Sequence, residues 1–271
     1  MIKFAIEQDI FNEDFTEMYR TISENKSVYN NVVYRPFFGI HECRIDPDDT
    51  DVIFMGSLNC AKHVLRNTKW RVWCDLPKFK CSYYYTYLGG YLINPSYMMM
   101  PLRELIRQKN SIIKYFKSET GDVFIRPDVG DKSFSGQLFN LKTLESEIYS
   151  LTSCDADYEQ LVIVSSPKNI VAEYRFFVID GKVVTGCQYH QNSKLFIDCL
   201  IPDGVREYAK LVASKWQPES AYVLDIAKQG KGQLGVMEIN SFSCSGLYKC
   251  DQRLIIENII ELFNKEKREM E

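Results

Sequence analysis

The chain has 271 residues, of which 45% are hydrophobic and 13% aromatic, with a formal net charge of −3. That length allows two domains or one large α/β domain, and so much apolar content excludes a disordered chain. Charges of both signs are spread throughout, which argues against a protein held on nucleic acid by global charge and leaves only a local basic groove open.

The N-terminal stretch "MIKFAIEQDIFNEDF" is acidic and lacks the long apolar core of a signal peptide. No apolar run approaches a membrane span, so the expectation is a cytoplasmic protein without a membrane partner. Nine cysteines are scattered without a C-x-x-C pair, and there are three histidines. That set argues against a zinc site of ordinary spacing and for small buried thiols in a reducing compartment.

Residues 1–95 read as a small α/β unit. "NNVVYRPFFG" and "TDVIFMGS" are short strands closed by glycine, and "SLNCAKHVLRN" is a helix with a serine cap. "CSYYYTYLGGYLINPSY" reads as a packed aromatic connection whose tyrosines fill a seam. From Pro101 a helix follows, with Leu102, Leu105, Ile106, Ile112, Ile113 and Phe116 at helical spacing. After the strand "DVFIRP" and its loop, "KTLESEIYSL" is a helix with a threonine cap and glutamates in its first turn. "EQLVIVSS" is a buried strand. "VAEYRFFVI" and "KVVTGCQYH", joined by Asp180-Gly181, form a hairpin. "GVREYAKLVASKW" is an amphipathic helix, "AYVLDIAKQGKGQLGVMEIN" a second hairpin, and a helix from about Gln252 to Lys267 follows.

Three constellations carry chemistry. The first is "FIRPDVGDKSFSG", where a strand ends at Arg126 and enters a loop with Lys132, Ser133 and Gly136. Glycines and serines let backbone N–H groups approach an anion, and Arg126 supplies a planar fork for phosphate. The spacing is not that of a P-loop, and by itself the loop reads equally well as a charged surface turn.

The second constellation lies on the Asp180-Gly181 hairpin. A two-residue turn there sets Arg175 opposite Gly186 and Glu173 opposite Gln188. Glu173, Arg175, Gln188 and His190 then share one face, with Ala172, Tyr174, Phe176, Val178, Val183, Thr185, Cys187 and Tyr189 on the core face. A surface ion pair is the plainer reading.

The third is the second hairpin. A turn centred on Lys231-Gly232 makes Asp225 and Glu238 cross-strand neighbours, with Asn240 on the same face. Two facing carboxylates repel by roughly 0.2–1 kcal/mol or more, and burial among apolar neighbours raises that cost. A divalent cation would turn the repulsion into a site, and Asp, Glu and Asn oxygens suit Mg²⁺. Protonation of one carboxylate or pairing with a lysine would also relieve it. Between the first two constellations, "EQLVIVSSPKN" offers backbone groups to an adenine edge, with Val162 and Val164 near its face.

In this order the motifs resemble the ATP-grasp carboxylate–amine ligases, over roughly residues 100–265. "EYRFFVIDGKVV" is similar to that family's strand-turn-strand with an acid and an arginine two apart, and "VLDIAKQGKGQLGVMEIN" to its paired magnesium strands ending in Glu-x-Asn. Arg126 stands where the family usually has lysine, and Lys132 follows within the loop. That pattern resembles a divergent clade found largely in bacteriophages.

The resemblance implies an ATP-grasp fold, with antiparallel sheets and flanking helices. A small α/β domain at 1–95 would precede an ATP-grasp domain at 96–271, in lobes of 96–160 and 161–271. It implies ATP and Mg²⁺ as cofactors, and ligation of a small-molecule, peptide or protein carboxylate to an amine through an acyl phosphate. Arg126, Lys132 and Arg175 would bind phosphate, Glu173 would orient Arg175 or touch nucleotide, and Asp225, Glu238 and Asn240 would hold the metal. Ser243, Ser245 and Gly246 would donate hydrogen bonds to substrate, with Cys244 a weaker nucleophile candidate. A kinase with the same ATP grip, and an interaction module without catalysis, are the competing readings.

Overall fold

The structure, a computed structural model, describes residues 1–8, 10, 15–129, 134–151 and 157–270. Its elements run β1 (Lys3–Glu7), α1 (Thr16–Glu24), β2 (Val28–Arg35), β3 (Gly39–Glu42), β4 (Val52–Met55), α2 (Leu58–Asn67), α3 (Cys81–Leu88), β5 (Tyr97–Pro101), α4 (Leu102–Tyr115), β6 (Asp122–Pro127) and β7 (Gln137–Asn140). There follow α5 (Leu144–Leu151), β8 (Leu161–Ser165), β9 (Ile170–Ile179), β10 (Lys182–Gln191), β11 (Lys194–Asp198), α6 (Asp203–Ala213), β12 (Ala221–Gln229), β13 (Leu234–Ser241) and α7 (Gln252–Met270). Among the described residues no helix is long and apolar enough to cross a membrane.

Local signals set several of these boundaries. Ser57 accepts the Cys60 N–H at 3.2 Å and starts α2, and Thr143, bonded to Glu147, precedes α5 with acids in its first turn. Pro101 sits directly before α4. The aromatic tract departs from the expected connection, because residues 81–88 coil into α3. Tyrosines are indifferent helix formers, so tertiary contacts carry this helix. Asp128 accepts from the Ser82 N–H at 2.6 Å and the Ser82 hydroxyl at 2.8 Å in its first turn, and Tyr84 is fully buried.

Three sheets result. In the first, ordered β3-β2-β1-β4, β1 runs parallel to β2 and β4. The second (β5-β8-β6-β7) and third (β11-β10-β9-β12-β13) are antiparallel. The architecture is the expected one: antiparallel sheets with flanking helices, preceded by a small α/β unit.

The five-stranded sheet is apolar on both faces. Tyr174, Phe176, Val178, Tyr222, Leu224 and Ile226 pack with α3 and α6 residues. Phe177, Ile179, Ala221 and Val223 pack with Ile255, Ile256 and Ile259 of α7 and with Phe4 and Ile6 of β1. Residues 92–93 cover the free edge of β13, where Leu92 bridges Val236. That approach requires glycine at 235, since a Cβ there would lie 2.5 Å from the Ile93 Cα.

Glu219, just before β12, accepts the Asp75 N–H at 3.0 Å and ties the first unit to the third sheet. Burial pushes its carboxyl up to about 7, against the pull of that N–H and of Arg71. Below about 4.5 both folded and unfolded states hold the proton, and from there to about 7 the folded state alone does. Stability is therefore expected to fall by about 1–3 kcal/mol across that window as pH rises. Glu219→Gln is expected to flatten that part of the curve in urea unfolding measured across the window.

Candidate active site

Asp225 on β12 and Glu238 on β13 pair directly across the ladder, and Asn240 faces Val223 two residues on. The register matches the sequence reading, but the turn does not. The Gly232 N–H bonds Gln229 O at 2.8 Å and the pairing slips beyond Asp225, where Ile226 meets Val236. Met237 is the extra residue of that bulge, and its carbonyl accepts Arg126 Nη1 at 3.0 Å.

The facing carboxylates are each met by an arginine. Arg175 on β9, itself paired with Asp225 across the ladder, grips it bidentately, Nε to Oδ1 at 3.0 Å and Nη2 to Oδ2 at 2.8 Å. Arg126, reaching from β6 of the second sheet, donates Nη2 to Glu238 Oε2 at 2.8 Å. Asn240 Nδ2 links the two acids, 3.2 Å from Asp225 Oδ2 and 2.8 Å from Glu238 Oε1. Asp225 is 1% exposed and Arg126 7%. Burial pushes the Asp225 carboxyl above its ordinary range, and the Arg175 fork pulls it back. Burial works against the charge of Arg175, and Asp225 more than compensates it. The expectation that facing acids need a metal or a proton is thus corrected, because two guanidiniums from separate strands neutralise them.

The first hairpin departs from its expected register. The turn at Asp180-Gly181 forms, with Lys182 opposite Ile179, but shifts between Val183 and Thr185 and between Gln188 and His190 put Cys187 opposite Arg175 and His190 opposite Glu173. Thr185 and Cys187 thereby leave the Tyr174 face, and Gln188 moves to it, opposite Tyr174. Gly186 lies against Phe176, where a Cβ would come within 2.5 Å of the ring and 2.7 Å of Arg175 O, so it makes no space over the guanidinium. That ground is held by Tyr189 and Tyr248, stacked at 5.2 Å, with the Arg175 guanidinium 5.4 and 5.1 Å from their centroids. Glu173 accepts from the Tyr189 hydroxyl at 2.7 Å and lies 3.7 Å from His190 Nδ1. It steers Arg175 through that ring rather than by direct contact. Burial, with Asp225 and Glu173 nearby, pushes the Tyr189 phenol up and keeps its proton in place.

Lys132 and Ser133 lie outside the described residues. Gly136 sits against Arg126, where a Cβ would be 3.0 Å from the arginine Cβ. Val162 and Val164 are fully buried in the core formed with α4. Strand alternation turns Ile163, not the two valines, toward the third sheet, so their side chains are not an adenine face. Ser165, at the end of β8, is 1% exposed and its hydroxyl has no partner.

In the loop after β13, Ser243 is buried and accepts the Trp73 N–H at 3.1 Å, while Ser245 donates to Ser241 O at 2.7 Å. Gly246 offers its carbonyl to Arg175 Nη1 at 3.1 Å. In this conformation the loop braces Arg175 instead of presenting donors to solvent. Contact with Cys74 and burial raise the Cys244 thiol well above its ordinary range, against a nucleophilic role. Sequence reasoning missed Tyr189, Tyr248 and the Met237 carbonyl, whose roles depend on bulges without a composition signal.

The residues fit a hard divalent cation. Two carboxylates and an amide converge, and an amide flip would turn the Asn240 oxygen toward them. Among the described residues no group of three His, Cys, Asp or Glu forms a metal cluster of its own.

The whole chain overlays on solved structures at low identity. D-cycloserine synthetase DcsG matches with a TM-score of 0.68 at 12% identity, over 97% of this chain and 100% of that one. The D-alanine-D-alanine ligase from Coxiella burnetii matches at 0.66 and 10%, over 99% and 95%. The ATP-grasp ligase PsnB complexed with a minimal precursor matches at 0.55 and 13%, over 97% and 99%. At these identities the likeness is one of fold, and no curated protein matches in sequence. Residues 102–258, more than half of the chain, match the family model for an ATP-grasp domain, the second family of its clade, and the chain belongs to that ATP-grasp family.

Proposed function

We propose that this chain is an ATP-dependent, ADP-forming ligase that joins a carboxylate to an amine through an acyl phosphate, with Mg²⁺. The observation that carries the reading is the cluster of Asp225, Glu238 and Asn240 enclosed by Arg126 and Arg175. It gathers side chains of two antiparallel sheets at one point. Family membership and the fold shared with two amino-acid ligases and a peptide-bound ligase support it.

In this proposal Asp225, Glu238 and Asn240 hold Mg²⁺, which when bound supplies charge neutralisation at the transferring phosphate. Arg126 and Arg175 each carry five donors in a fork, enough to keep a carboxylate on one edge and present N–H groups to phosphate on another. Lys132 and Ser133 bring a further cation and hydroxyl from the loop after β6. The unpartnered Ser165 hydroxyl and the backbone that follows it meet the adenine edge. A substrate carboxylate attacks the γ-phosphate and ADP leaves. The amine then attacks the acyl carbon, phosphate leaves, and an amide forms. Phosphoryl transfer asks for positioning and charge neutralisation more than a covalent partner, which suits a site of fixed guanidiniums.

The test is calorimetry with a non-hydrolysable ATP analogue, with and without Mg²⁺, followed by phosphate release from ATP in a screen of paired carboxylates and amines. The expected result is Mg²⁺-dependent binding and phosphate release only when both co-substrates are present. A stable phosphoester on one co-substrate would establish a kinase instead. Absence of nucleotide binding, even with pooled metabolites added, would favour an interaction module.

A further inference from the structure

The loop between β13 and α7 is flanked by a thiol pair at each end. Near α7, Cys250 Sγ lies 3.4 Å from Cys187 Sγ on β10, across 63 positions of chain. Near β13, Cys244 Sγ lies 3.8 Å from Cys74 Sγ, beside the first unit. All four are free thiols. Cys187 is the cross-strand neighbour of Arg175, and Cys250 also reaches Arg175 O at 4.0 Å. Between the pairs stand Gly246 and Tyr248, which hold the guanidinium.

We propose that Cys187 and Cys250 are a redox modification site, closing to a reversible disulfide that fixes the loop against β10 behind Arg175. The sulfurs stand in contact on two elements that the fold already packs together, and closure to about 2.05 Å asks for an approach of little more than 1 Å. A cavity of about 1100 Å³ lined by Thr185, Gly186, Tyr248, Lys249 and Cys250 gives a small oxidant a way to the pair. Cys187 does not line it, so Cys250 is the sulfur that is oxidised first. The hydrogen bond from Cys250, and after it the Lys249 N–H, draw the Cys187 thiol below its ordinary value against the effect of burial, which favours the attacking thiolate.

With hydrogen peroxide as oxidant, the Cys250 sulfur attacks one peroxide oxygen, the O–O bond breaks, and a sulfenic acid and one water result. The Cys187 thiolate then attacks Cys250 Sγ, the S–O bond breaks, and hydroxide leaves and takes up a proton as a second water. Two thiols are oxidised to one disulfide while one peroxide is reduced to two waters. The Cys74–Cys244 pair is farther apart, and nothing in the step requires it.

The experiment is limited peroxide treatment of the full chain, alkylation of the remaining thiols under denaturing conditions, and peptide mapping by mass spectrometry. The expected result is a Cys187–Cys250 linked peptide, loss of two alkylatable thiols of the nine in the chain, and reversal by dithiothreitol. The urea midpoint should rise on oxidation in wild type and not in Cys250→Ser. If both cysteines stay alkylatable after oxidation, if they stop at sulfinic acid, or if Cys74–Cys244 links while they do not, the proposal falls. The mapping needs wild-type protein only, so its outcome stands whether or not Cys250→Ser folds, and it is independent of nucleotide binding.

Discussion

Asp225→Ala is expected to destabilise the fold by about 3–5 kcal/mol, read as a fall in the urea midpoint at unchanged slope. The figure follows from what the substitution leaves behind. Arg175 is 9% exposed and takes its charge compensation from Asp225 through two hydrogen bonds. Without the carboxylate it keeps the Gly246 carbonyl and the two tyrosine rings, which cannot balance a full charge. Arg175→Met leaves the converse problem, a carboxylate that is 1% exposed, next to Glu238, and its cost should be of the same order. The double variant Asp225→Leu with Arg175→Met removes both charges from a sheet whose neighbouring positions are apolar. It should regain most of the loss, because a buried ion pair contributes little net stability beyond a well-packed apolar pair. If the double variant is as unstable as the sum of the singles, the two residues are not energetically coupled, and the cluster is not the pair that the distances imply.

Such a result would also explain which parts of this protein can be read from its sequence. The Asp180-Gly181 turn, the Ser57 and Thr143 caps and the α4 start each depend on neighbours a few residues away, and such local chemistry is legible. Alternation sets Asp225 opposite Glu238 correctly even though it misplaces the turn beneath them, because the bulge at Met237 offsets the one-residue difference. Bulges elsewhere act in the other direction. The shift after Val183 moves Thr185 and Cys187 to the other face, and alternation alone cannot announce it. The pairing of Arg126 with Glu238 spans 112 positions and is set by how two sheets meet, for which a single sequence has no local mark. The same holds for α3, whose first turn is tied to Asp128 from a distant strand. Fold class and the membership of the charged cluster are therefore visible in the sequence, while the partner of each charge is not.

Glu238 separates scaffold from chemistry, and it carries the second large effect. Glu238→Gln keeps the side-chain length and an oxygen for Arg126 Nη2, so the fold should lose no more than about 1–2 kcal/mol, within the range for a weakened hydrogen bond to a charged group. Turnover should suffer far more. An anionic ligand lost from the site that steadies a transferring phosphate removes several kcal/mol of charge stabilisation, which at about 1.36 kcal/mol per decade is a fall of about 10²–10³ in kcat. Nucleotide binding should at the same time lose its dependence on Mg²⁺. Arg126→Lys provides the complementary variant. A lysine cannot reach Glu238 and the Met237 carbonyl with a rigid fork, so it should weaken nucleotide affinity while leaving the Mg²⁺ dependence in place. The pair of variants distinguishes two descriptions of one cluster. If Glu238→Gln retains full Mg²⁺ dependence and near wild-type turnover, Glu238 is a structural counter-ion for Arg126, and the metal site must be sought elsewhere. If Glu238→Gln loses the metal dependence and Arg126→Lys does not, the carboxylate that neutralises Arg126 in the free protein is the one that takes the cation when nucleotide is bound.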